Sequence, residues 1–170
     1  MKTMKHLNSF IAVVLLALVI ASCSSPKPKS YGPVDFEITI EGPIFEESVA
    51  EGVVTIPFKP EDFGIERKDV HSMILSEIQL TCDHPDGLGA FNNVVFTVMT
   101  DNTESKEVAS EKIKGSPKEL TLKGLKEAEI KGFDKTDQFY LEMTGISRKD
   151  FDENIVIKGK ITLDVMVNEK

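Results

Sequence analysis

From residue 34 onward, apolar residues recur at every second position, and a period of two suits only a strand with one face buried. In VDFEITIE (34–41), Val34, Phe36, Ile38 and Ile40 share one face while Asp35, Glu37, Thr39 and Glu41 share the other. VVTIPF (53–58) turns Val54, Ile56 and Phe58 inward. Pro57 has no N–H to give a ladder, which places this strand at a sheet edge or a bulge. A loop or turn from Glu61 to residue 71 leads into a strand ending at Cys82, with Ile78, Leu80 and Cys82 on one face.

The breaker-rich DHPDGLGAFNN (83–93) reads as a long connection. After it, Val94, Phe96 and Val98 alternate with Val95, Thr97 and Met99. KEVASEKI (106–113), KELTLKG (118–124, Leu120 and Leu122 inward) and QFYLEMTG (138–145) add strands, and 125–137 holds a short strand or a helical turn. The clearest segment is NIVIKGKITLDVMVN (154–168), which sets Ile155, Ile157, Ile161, Leu163, Val165 and Val167 on one face, with Gly159 as a bend. A βαβ unit needs a crossover helix of about a dozen residues, and no such segment is present. The expectation is an all-β, two-sheet antiparallel sandwich of about seven to nine strands, with helical turns at most, immunoglobulin-like or transthyretin-like in style.

The first 33 residues are of another kind. MKTMKHLNS is basic and short, and the apolar run FIAVVLLALVI (10–20) follows it. As a helix that run spans about 16 Å, against about 30 Å of bilayer hydrocarbon, which suits the apolar stretch of an export signal and is too short for a membrane span. Ile20-Ala21-Ser22-Cys23 then resembles the lipobox of bacterial lipoproteins. The resemblance implies cleavage after Ser22 and a diacylglycerol thioether on Cys23, often with a third acyl chain on the new α-amine. Residues 1–22 are thus expected to be removed, 23–33 to form a lipidated Ser/Pro/Lys tether, and 34–170 to form a single sandwich domain. SSPKPKS (24–30) would reach about 22 Å when extended, and Lys27 and Lys29 would lie near headgroups.

The whole resembles the small, mostly uncharacterised β-sandwich lipoproteins of Bacteroidota. No acidic run follows Cys23, and residue 24 is serine. Under that resemblance these features imply the periplasmic face of a Gram-negative outer membrane rather than the cell surface or the inner membrane.

Charge narrows the partners. The chain carries 20 Lys plus Arg against 28 Asp plus Glu, a formal charge of -8. Removing Lys2 and Lys5 with the leader, which holds no acid, makes it -10. Nucleic acid is a poor partner for such a surface.

Candidate chemistry is sparse. Cys82, His84 and Asp86 form a C-x-H-x-D cluster that could offer sulfur, nitrogen and oxygen to copper or zinc, with His71 as a fourth donor, but the phase of Cys82 also makes it a buried small hydrophobe. Asp150, Asp152, Glu153 and Asn154 crowd one turn, and Asp83 with Asp86 flanks Gly87 in another. Either could offer hard oxygens to calcium, although neither has the spacing of a twelve-residue calcium loop, and a solvated acidic turn accounts for both. Neither G-x-S-x-G nor H-E-x-x-H occurs, and Trp, the usual sugar platform, is absent; Tyr140 remains, with Tyr31 placed in the tether. No cofactor is expected. Val53, Val95, Met99, Val156 and Met166 are apolar yet fall on the outward phase, where they form a candidate partner surface. These features favour a non-enzymatic, lipid-anchored binding or assembly module for a protein or glycan. The alternatives are an adhesin or pilus-related subunit and a small-ligand or metal carrier.

Overall fold

The computed structural model describes residues 25–168. Nine strands follow in order: β1 (Lys27–Ile40), β2 (Val49–Pro57), β3 (Val70–Cys82), β4 (Phe91–Thr100), β5 (Thr103–Lys112), β6 (Glu119–Lys123), β7 (Ile130–Lys131), β8 (Gln138–Ser147) and β9 (Ile155–Val167). The helices among the described residues are four short 3-10 turns in the connections. The strands form two antiparallel sheets, one ordered β1-β9-β3-β6 with β7 also on β3, the other ordered β2-β8-β4-β5. The architecture is the expected two-sheet sandwich.

The inward phase read from the sequence builds the core. Ile38, Ile56, Ile78, Leu80, Phe96, Val98, Phe139, Leu141, Ile157, Ile161 and Val165 are all buried between the sheets. One end is closed by aromatic rings: Phe58 lies 5.1 Å from Tyr31 and 5.3 Å from Phe133, which lies 5.7 Å from Phe139. Arg67, from the β2–β3 connection, donates to the carbonyls of Phe58 and Thr136, lies 3.2 Å from Asp137 and rests over the Phe58 ring.

Two expectations need correction. Residues 27–33 are no tether: β1 begins at Lys27, and Lys27–Tyr31 pair with Leu163–Val167 of β9. The ladder breaks between Tyr31 and Val34. There Gly32 holds φ +111, and a Cβ would stand 2.6 Å from the Ile161 carbonyl oxygen. Tyr31 itself is 2 % exposed, and its hydroxyl donates to the Pro57 carbonyl and accepts from the Lys59 N–H, each at 3.1 Å. Composition hides this strand because a pairing of backbone to backbone needs no apolar side chain, and one ring is enough to pin it.

Gly159, secondly, is no bend. The ladders run through it without a register shift, opposite Phe36 on one side and Leu80 on the other. Its missing side chain leaves room for the Phe36 ring, which a Cβ would meet at 2.3 Å.

Candidate functional site

Antiparallel order gives the sandwich two unlike ends. β1 starts beside Val167 and finishes beside Ile155, so its first residues lie with the aromatic cluster. The far end is made of the β1–β2, β3–β4, β5–β6 and β8–β9 connections. At about 3.4 Å per residue, β1 carries the chain roughly 45 Å from one end to the other.

The far end brings together the two acidic stretches singled out in the sequence, and it puts them to structural use. Ile44 and Phe151 form a two-way backbone bridge at 2.8 Å. Asp150 accepts the Glu46 N–H at 2.7 Å, and Asn154 accepts the Gly42 N–H at 3.0 Å. The buried Phe151 ring stands edge-on to His84 at 5.3 Å. Asp152 and Glu153 are exposed beside them.

The copper or zinc reading is corrected here. Cys82 is buried in the core and pairs with Ile157, while His84 and Asp86 lie beyond the strand end, so the three donors do not converge. Burial pushes the Cys82 thiol above its ordinary pKa, which keeps it protonated at neutral pH and a poor ligand. His71 is the second residue of β3, at the other end and roughly 40 Å from His84. Among the described residues, no three His, Cys, Asp or Glu side chains are grouped to hold a metal ion.

Asp86 has a cation for a neighbour: Lys149 Nζ lies 2.6 Å from its carboxylate, and His84 Nδ1 lies 3.6 Å away while accepting the Asp86 N–H. The hydrogen bond from Lys149 holds this carboxyl below the usual aspartate range. A depressed carboxyl contributes stability above its unfolded pKa and loses it as pH falls through the folded value. Lys149→Gln is therefore expected to raise the Asp86 pKa toward the ordinary value, read by NMR titration of the side-chain carboxyl; an unchanged titration would show the pair is not formed in solution.

The candidate partner surface is divided by the fold. Val53, Val95 and Met99 lie on the outer face of the β2-β8-β4-β5 sheet, whereas Val156 and Met166 lie on the outer face of the other sheet. The five do not form one patch. Val53 instead continues a row that the sequence reading passed over. Phe45 is 64 % exposed, Val49 62 % and Val53 54 %, running from the far end down β2. Ile146 pairs with Val49 across the ladder and is half-buried beside it. A sequence signal for Val49 existed, because it shares the phase of Val53, but Gly52 interrupts the apolar alternation between them. Beside this row a cleft of about 500 Å³ opens between β2 and the end of β1, lined by Thr39, Glu41, Ser48, Val49, Glu51 and Val53 among others.

No protein-family model matches the chain, and no curated protein matches it in sequence. Solved structures similar to it include the C-terminal domain of a chitobiase from Bacteroides fragilis, with TM-score 0.39 and 12 % identity, over 71 % of this chain and 66 % of that one, just under two thirds of its length. A mannan-recognising carbohydrate-binding module matches with TM-score 0.38 and 9 % identity, over 81 % of this chain and 80 % of that one. The tomato aspermy virus structure matches with TM-score 0.35 and 12 % identity, over 89 % and 92 %. Likenesses this distant carry no argument about function.

Proposed function

We propose that the chain is a lipid-anchored, non-enzymatic module that holds a partner protein at the periplasmic face of a Gram-negative outer membrane. The observation that carries this reading is the placing of the exposed row Phe45, Val49 and Val53. It begins at the end of the sandwich opposite the start of β1, and β1 is the strand that follows the lipobox cysteine. A contact surface that runs from roughly 40 Å to roughly 25 Å out from an anchored end is suited to reaching a partner beyond the membrane surface. Exposed apolar residues in a row, flanked by Glu46, Glu47 and Glu51, have the make-up of a protein contact with a charged rim.

A photo-crosslinking residue at Val53 in intact cells is expected to yield a discrete adduct. The same residue at Val156, on the opposite sheet, is expected to yield none. Equal yields from the two sites, or no adduct from Val53, would overturn the reading.

A further inference from the structure

The backbone of β2 offers more than its side chains. In an antiparallel pair, residues alternate between those bonded to the neighbour and those whose N–H and C=O point away from it. Ser147 donates to the Ser48 carbonyl at 3.0 Å, and Phe58 donates to the Asp137 carbonyl at 2.8 Å. With the register unbroken between them, Ala50, Gly52, Val54 and Ile56 also face β8. Val49, Glu51, Val53 and Thr55 therefore direct their N–H and C=O groups to the open side, where β2 ends its sheet.

Open edges invite pairing, and folds usually blunt them with prolines, bulges, charges or short length. The other edges here are treated in that way. β1 has Pro28, Pro33 and a register break, and β5 has two register breaks and carries Glu104, Lys106, Glu107, Glu111 and Lys112. β6 has five residues and β7 two. β2 has nine residues, no register break and proline only at its last position. Its outward side chains at 49 and 53 are exposed valines, and the cleft described above runs along it.

We propose that the free edge of β2 docks an extended segment of another protein, with a Lys or Arg opposite Glu51 and apolar residues two positions to either side, opposite Val49 and Val53. Charge selects this occupant. Glu41 and Glu51 line the cleft, Glu46 and Glu47 are exposed in the connection that leads into β2, and a second copy of this chain would bring the same acids and a large net negative charge. A basic residue at the centre of the added strand meets Glu51 directly, and opposite charges across a strand pair are favourable where like charges are not. This deepens the binding-module reading by naming the docking edge and the partner's chemistry.

The test uses the full chain in detergent and two labelled heptapeptides, Thr-Val-Thr-Lys-Thr-Val-Thr and its Glu-centred counterpart. The Lys peptide is expected to bind at up to about 5 mM, more tightly than the Glu peptide, and to slow amide exchange across residues 49–55. Glu51→Lys should reverse the preference by roughly 5-fold. Val53→Pro removes one free-edge N–H that the β8 ladder does not use, and it should abolish binding; Val53→Lys, which blunts the edge without touching the backbone, should do the same. No binding, equal affinity for the two peptides, or protection elsewhere than β2 would overturn the proposal. So would concentration-dependent self-association that protects the same amides, since the occupant would then be a second copy. Each of these failures leaves the anchoring at Cys23 untouched.

Discussion

Cys23→Ser is expected to move the chain from the membrane pellet to the soluble fraction nearly completely. The wild-type protein extracted from membranes should begin at Cys23 and carry the added mass of acyl chains. Each buried methylene contributes about 0.8 kcal/mol, so two or three chains hold a domain on a bilayer essentially without release. The net charge of the chain, -8, adds no attraction to anionic headgroups, so release of the serine variant isolates the contribution of the acyl chains. Cys23 lies outside the described residues, yet the fold alters what its anchor would do. Since β1 starts at Lys27, the intervening chain can span at most about 14 Å, so an acylated Cys23 would seat the aromatic end of the sandwich close to the lipid. A serine variant that is processed normally and stays in the pellet would end the anchored reading.

Tyr31→Ala is the second large effect. It removes a buried ring that packs on Phe58 and Phe63, and it takes the acceptor from the Lys59 N–H and the donor from the Pro57 carbonyl. Losses of buried aromatic side chains cost about 3–5 kcal/mol. At about 2–4 °C per kcal/mol for a domain of this size, the melting temperature should fall by about 6–20 °C. Tyr31→Phe keeps the ring and should cost about 1–2 kcal/mol for the hydrogen bonds alone. Circular dichroism melts of the three proteins decide the matter. If Tyr31→Ala melts with its parent, residues 27–33 are a tether after all.

Those residues mark the limit of what the sequence can be made to say. The phase of Phe36, Ile38, Leu141 or Ile161 is legible because burial on one face forces alternation, and each proves to be buried. The strand built from Lys27–Tyr31 is not legible, because its partner lies more than 130 residues away and its pairing uses no hydrophobic code. The outward valines teach the same lesson. A period of two separates inside from outside, but it does not say which of two sheets a strand joins. Val53 and Val156 therefore look alike in the sequence and stand on opposite faces in the structure. The inward turn of Cys82 was available from its phase with Ile78 and Leu80. The meeting of His84 with Phe151 was not, since only the topology brings those two connections to one end.

The position of β9 has a consequence for how the protein comes into being. It lies between β1 and β3, so the first strand of that sheet has no partner until the strand latest in sequence arrives. A chain emerging from a translocation pore amino end first would keep Lys27–Ile40 unpaired until Ile155–Val167 had followed. Closing so long a loop is slow. For a chain that is exported, such an order of assembly would keep the polypeptide threadable in transit and defer its final collapse until the last strand has crossed.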